Sequence, residues 1–401
     1  MSPALLPIFL IVLVDVLGLT FILPLLPFYA EGFGATPFQV GLLTTVFAFC
    51  QLFSGPILGA LSDRTGRKPL LLVSQFGTLI GFTILAGATT LPIVFLSRAI
   101  DGATAGNLSL AQAYIADVTA PKDRAKAFAV IGIAFGIGFL IGPAASGMLA
   151  HYNYHYPIYA AMALSALSIV ATATLLPSVK PTGDASSGPG GRRPPAWKWS
   201  SYAPHFEKPQ LRAALLQIFC FFLAFTMFTS GFALFAERRL TSDGRPFGPR
   251  EVGLIFGYAG LLGIFIQGGM VGRLVRKFGE LKVARMGFLS SAVAYTGLSF
   301  VFKVPFLLLS ATFSSFGNGV LRPALTSLVS KSASPREQGL VLGFSQSLNS
   351  IAAMIAPLIG GALIQHEQTG LWALCMAVLC CVGLFLGHAS RNPEAAAAPT
   401  T

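Results

Sequence analysis

Gly59-Ala-Leu-Ser-Asp-Arg-Thr-Gly-Arg-Lys68 lies between two long apolar runs, at about 38–62 and 70–89. Within six residues it carries a carboxylate, two guanidiniums and an ammonium, which cannot rest in hydrocarbon. The stretch therefore reads as a tight hairpin at a membrane face. Arg64, Arg67 and Lys68 mark that face as cytoplasmic, because retained loops are enriched in Lys and Arg. Gly59 and Gly66 allow a sharp turn and close helix approach.

Composition agrees with this reading. Of 401 residues, 54% are hydrophobic and 10% charged, with mean hydropathy +0.71. A soluble domain carries about 25% charged residues, so the chain is expected to be polytopic in a lipid bilayer. The net charge of +12 would suggest nucleic acid in a soluble protein. Here it follows from loop topology, and no nucleic-acid partner is expected. Cys50, Cys220, Cys375, Cys380 and Cys381 lie in apolar runs without metal-ligand company. His151, His155, His205, His366 and His388 are scattered. No cofactor, metal or enzymatic constellation is expected. The N-terminus lacks a basic region before its apolar run and reads as an uncleaved first span.

A membrane helix needs about 20 mainly apolar residues. Twelve such spans are predicted, at about 5–29, 38–62, 70–89, 91–115, 125–150, 156–176, 212–236, 251–275, 282–302, 304–330, 337–364 and 370–389. Twenty of the 27 Lys and Arg residues follow even-numbered spans, counting Arg391 in the tail, and five follow odd-numbered ones. Both termini are thus expected in the cytoplasm. Residues 177–211 hold Ser-Ser-Gly-Pro-Gly-Gly-Arg-Arg-Pro-Pro and read as a cytoplasmic linker. Trp197, Trp199 and Tyr202 in it are expected at the membrane surface. The linker separates an N-terminal bundle, 1–176, from a C-terminal bundle, 212–401.

The halves repeat. Gly59-x-Leu61-x-Asp63-Arg64-x-Gly66 recurs as Gly272-x-Leu274-x-Arg276-Lys277-x-Gly279; Pro121 pairs with Pro335, Pro143 with Pro357 and Gly147 with Gly361. The predicted fold is an all-α polytopic membrane protein. Its twelve transmembrane helices form two parallel six-helix bundles related by an axis along the membrane normal.

Ionisable groups deep in spans are costly and so point to function. Asp15 lies mid-span with no cation on its own helix, which suits a group that loads and releases a proton. Arg98 and Asp101, three apart, share a face of the fourth span. They read either as a structural pair or as coupling groups, with Arg98 modulating Asp15 or Asp101. Asn107, Ser109 and Gln112 extend a polar stripe. Gly102 and Gly106 form a small-residue pair for close packing. The fifth span, with Gly132, Gly136, Gly138, Gly142, Pro143 and Gly147, reads as a close-packed hinge or sliding seam. Asp117 and Arg124 are placed to meet Asp63, Arg64 or Arg67 and latch one conformation. In the second half Gln217, Gln267, Asn318, Arg322, Gln346 and Asn349 supply polarity. The seventh span is aromatic, with Phe219, Phe221, Phe222, Phe225, Phe228 and Phe232. Many of these are expected to face lipid and some, Phe225 among them, to line an apolar substrate pocket.

These residues resemble the major facilitator superfamily, in particular its drug/proton antiporter branch that includes the bacterial tetracycline exporters. Asp15 with Gly18, Pro24 and Pro27 is similar to that branch's first span. Gly59–Lys68 is similar to its loop 2–3 signature. Arg98-x-x-x-Gly102 with Ala113–Asp117 is similar to its fourth span, and Gly132–Gly147 to its antiporter helix. The resemblance implies the major facilitator fold, a charge network of Asp63, Arg64, Arg67, Lys68 and Asp117, and a coupling site of Asp15, Arg98 and Asp101. It also implies an antiporter-helix hinge of Gly138, Gly142, Pro143 and Gly147. The tetracycline exporters carry acidic residues in the third and ninth spans and a histidine in the eighth; those positions here are near Gly81, Ser291 and Gly263, which argues against tetracycline. The expected function is proton-coupled efflux of a small apolar or amphipathic compound by a monomer in a bacterial inner membrane. A proton-coupled metabolite importer and a transporter-like sensor are the alternatives.

Overall fold

A computed structural model describes residues 5–119, 124–178, 209–242, 244–332 and 338–389. The 177–211 linker lies almost wholly outside these, as do Pro121, Pro335, Trp197, Trp199 and Tyr202. The described chain is helical apart from turns and a two-strand hairpin, Thr241–Ser242 with Arg245–Pro246. Among the described residues, nine helices are long and apolar enough to cross a membrane: Pro37–Thr65, Arg67–Ala86, Ile131–Tyr152, His155–Leu175, Pro209–Arg239, Pro249–Phe278, Val304–Lys331, Gly343–Gln365 and Thr369–Gly387. They are the second, third, fifth to eighth and tenth to twelfth predicted spans. The ninth is Glu280–Ser299, whose first turns hold Glu280, Lys282 and Arg285.

The remaining two differ from expectation. The first span is broken, Leu5–Ile22 then Leu26–Glu31, with Pro24 between and Pro27 in the first turn of the second piece. Proline lacks an amide donor and cannot continue a helix undisturbed. The fourth span is also broken, Leu91–Ala103 then Asn107–Val118. Inside lipid the freed backbone groups need partners, and two serines supply them. Ser54 of the second span donates to the Gly102 and Ala105 carbonyls at 2.8 and 3.2 Å. Ser74 of the third span donates to Thr104 O at 2.5 Å and accepts from Gly106 N at 2.9 Å. The eighth span keeps its course through a π-helical turn, Ile266–Met270.

The chain forms two compact units. The first comprises Met1–Ala185, Ser230–Leu261 and Pro357–Gln365. In it the first span packs on the fifth and sixth, and the fourth on the second and third. Ile8, Ile11, Leu71, Leu110, Tyr114 and Ile115 form part of its core. The second comprises Ser186–Thr229, Leu262–Ala356 and His366–Thr401. There the ninth span packs on the tenth and twelfth. Along the seventh span, which runs through both units, Phe221, Phe222 and Phe232 are buried, and Phe219, Phe225 and Phe228 half-buried.

The internal repeat is visible in the backbone. Gly66 (φ 97°, ψ 156°) and Gly279 (φ 77°, ψ 159°) each join two helices in a conformation essentially restricted to glycine. Each amide donates back to the fourth preceding carbonyl, of Ser62 and Val275.

Candidate functional site

Asp15 lies in the first span, half-buried against the third and sixth. Its Oδ1 accepts a 2.5 Å hydrogen bond from Ser168 Oγ, which accepts one of 2.8 Å from Gln75 Nε2. Gln75 also hydrogen-bonds Asp15. Ser168 and Gln75 are fully buried. A carboxylate held by hydroxyl and amide donors, with no ion pair to it among the described residues, can exist with or without its proton. A cavity of about 20 Å³ opens beside it, lined by Asp15, Thr78, Phe82, Asn107 and Ser165 among others.

Arg98 and Asp101 form a buried ion pair, Nη1–Oδ2 3.2 Å, each residue 5% exposed. Arg98 also lies over the Phe82 ring, 5.8 Å from its centroid, while Thr78 hydrogen-bonds Asp101. Arg98 is thus paired with Asp101 and not with Asp15. Gly81 packs directly on this pair: a Cβ there would lie 2.9 Å from the Asp101 Cβ and 3.2 Å from Ser97 O. An acidic side chain at 81 has no room. Likewise a Cβ at Gly317 would lie 2.0 Å from Ser291 Oγ, so position 291 is tightly packed by the tenth span.

At the loop, Arg67 is the centre. Its Nη1 contacts Asp63 at 2.5 Å, its Nε contacts Asp117 at 2.8 Å, and Nη1 also donates to Ser62 Oγ at 2.5 Å. Two residues expected in this network lie apart from the Arg67 contacts. Arg64 is exposed, with no ion pair among the described residues; its position one residue after Asp63 turns it off the shared face. Lys68 donates to the Ala173 carbonyl at 2.8 Å, satisfying the end of the sixth span instead of joining the carboxylates. The side chain of Arg124 lies outside the described residues.

Three of the fifth-span glycines, Gly138, Gly142 and Gly147, have close partners. Cβ atoms at Gly138 and Gly142 would lie 2.5 Å from Val16 Cγ1 and 1.9 Å from Thr20 Oγ1, both on the first span. Gly147 faces the eighth: a Cβ would lie 2.4 Å from Pro249 O, while one at Gly253 would lie 2.4 Å from Pro143 O. The repeat reproduces this reciprocal contact. A Cβ at Gly361 would lie 2.5 Å from Pro37 O, and one at Gly41 2.2 Å from Pro357 O. Arg238, at the end of the seventh span, contacts Glu31 at 2.5 Å and Glu237 at 3.4 Å. Sequence reasoning missed this cluster, because each residue stands at a helix end where a lone charge is unremarked.

The expected cavity residues separate. Gln217 is 2% exposed and donates to Gly383 O at 2.9 Å, tying the seventh span to the twelfth. Asn318 donates to Ser314 at 3.1 Å. Phe225 stacks on Phe221 at 5.8 Å. Gln112, Gln267, Arg322 and Gln346 are exposed, Asn349 half-exposed, and Asn107 half-buried at the Asp15 cavity.

Both the sequence and the fold have relatives among known proteins. The profile of the Major Facilitator Superfamily matches residues 8–302 and 245–399. The chain is 30% identical over 378 residues to tetracycline resistance protein, class H, of Pasteurella multocida, covering 93% of this chain and 91% of that protein. It is 28% identical over 363 residues to multidrug resistance protein 2 of Bacillus subtilis (strain 168), covering 88% and 86%. The crystal structure of the human organic anion transporter MFSD10 (TETRAN) superposes with TM-score 0.71 at 24% identity, covering 96% and 99%. With profile matches reaching from residue 8 to 399, the chain belongs to the Major Facilitator Superfamily, as an integral membrane transporter related to tetracycline and multidrug efflux proteins and not an enzyme.

Proposed function

We propose that the protein exports a small apolar or amphipathic compound in exchange for protons by alternating access. It does so as a monomer in a bacterial inner membrane with both termini in the cytoplasm. The observation that carries the reading is Asp15, a mid-span carboxylate held by Ser168 and Gln75. Relatives named for tetracycline and multidrug resistance support export. Asp15 is the proton carrier, Asp101 a second acceptor and Arg98 the modulating cation. Arg67, with Asp63 and Asp117, latches the loop face. The crossings at Gly142–Gly147 and Gly361 supply the moving seam. Gln346, Asn349, Arg322, Gln267 and Phe225 face the compound.

The test uses proteoliposomes with an imposed pH gradient and ethidium as probe, chosen after a growth screen in an efflux-deficient host. Inverted vesicles should accumulate the dye when their interior is acidified. Asp15→Asn should abolish gradient-driven accumulation. Undiminished transport by that variant removes Asp15 from the mechanism, and release instead of accumulation reverses the direction.

A further inference from the structure

Asp15 and Asp101 are linked through a route that ion pairing alone does not reveal. Thr78 of the third span hydrogen-bonds Asp101 and also lines the cavity that Asp15 borders. The same cavity is lined by Asn107, whose buried Oδ1 has no hydrogen-bond partner among the described residues. Its volume of about 20 Å³ exceeds the ~10–15 Å³ that one water needs, and a water there also needs two to four polar partners. Asp15, Thr78 and Asn107 provide three.

We propose that this cavity is a water-binding site, and that its water and the Thr78 hydroxyl form a relay carrying a proton between Asp15 and Asp101. This rests on the reading of Asp15 as a proton carrier and extends it to how the proton moves on. In the transfer, the O–H bond of protonated Asp15 breaks and its proton joins the water. The water gives one of its own protons to Thr78 Oγ, and the Thr78 hydrogen passes to an Asp101 oxygen. One proton moves; Asp15 is left anionic and Asp101 neutral. Arg98 then loses its counter-charge in a buried setting, which makes the loaded state short-lived and ready to drive rearrangement. The groups acting on the two acids are few. Arg98 is the charged group against Asp101, and the uncharged Ser168 and Gln75 face Asp15. The break at Thr104–Gly106 starts a new helix at Asn107 and so sets that side chain at the cavity.

The experiment is a pH titration of the lipid-reconstituted full chain by infrared difference spectroscopy. It follows the protonated-carboxyl C=O band that disappears in Asp15→Asn. Thr78→Val should shift the titration midpoint of that band by about one pH unit, the scale at which coupled sites are recognised. Asn107→Leu, which removes the third water partner, should shift it in the same direction. Thr78→Ser keeps the hydroxyl and should restore the parent midpoint, which a purely packing role for Thr78 would not produce. If Thr78→Val leaves the Asp15 midpoint unmoved, Thr78 serves Asp101 alone and the relay is refuted. If no band is lost in Asp15→Asn, the proton-carrier reading itself fails, which is a separate outcome.

Discussion

Replacing Gly147 by alanine tests the fifth–eighth span crossing most directly. The added Cβ would lie 2.4 Å from Pro249 O, 3.1 Å from Arg250 Cα and 3.2 Å from Gly253 Cα, whereas ordinary contact begins at 3.4 Å. All three are backbone atoms, so no side chain can swing away, and the helices must part by about 1 Å. Overpacking of this kind costs about 1–3 kcal/mol. Placed on the packed arrangement alone, that shifts the balance toward an opened crossing by roughly 5- to 150-fold. The assay is thiol labelling of a cysteine at Val252, which is fully buried on the eighth span, in a chain whose five native cysteines are replaced. Its labelling rate by an impermeant maleimide reports the opened fraction and should rise by that factor in Gly147→Ala. Gly361→Ala, which meets Pro37 O at 2.5 Å, should weaken the second–eleventh crossing in the same way, while Gly132→Ala, with nothing within 4 Å, should change nothing. Parent-rate labelling in a fully expressed Gly147→Ala protein refutes the reasoning.

Two further outcomes follow from the charges. Asp101→Asn leaves Arg98 buried without its counter-ion and should cost about 3–5 kcal/mol of stability, most of it recovered in Arg98→Met/Asp101→Asn; thermal unfolding in detergent checks both, and equal loss in the single and double variants contradicts the pairing. At the loop, the Asp63 side chain is 63% exposed and that of Asp117 31%, so solvent screens the first contact more, and exposed pairs contribute only ~0.2–1 kcal/mol. Asp117→Asn should therefore slow dye efflux more than Asp63→Asn, with apparent dye affinity unchanged in both; the reverse order would make Asp63 the dominant partner.

The sequence by itself determined the membrane class, the twelve spans, the twofold repeat and the short roster of buried charges. Hydropathy is a local transfer property, and a lone Asp15 or a Gly66 at a helix junction announces its cost without any neighbour being known. Tertiary structure decided who faces whom. A span with apolar residues all round gives little periodic signal to orient it, so Ser168 and Gln75 on Asp15, Thr78 between two acids, and Pro249 over Gly147 were not legible. The same reason explains why some side chains make contacts other than those expected. Gln217 looked like a cavity residue because it is polar, yet rotation of the seventh span aims it at Gly383 O. Arg64 looked equivalent to Arg67, but only one of the two lies a helical turn from Asp63. The break in the fourth span needed Ser54 and Ser74 from two other helices, and no local pattern encodes a partner that folding alone brings near.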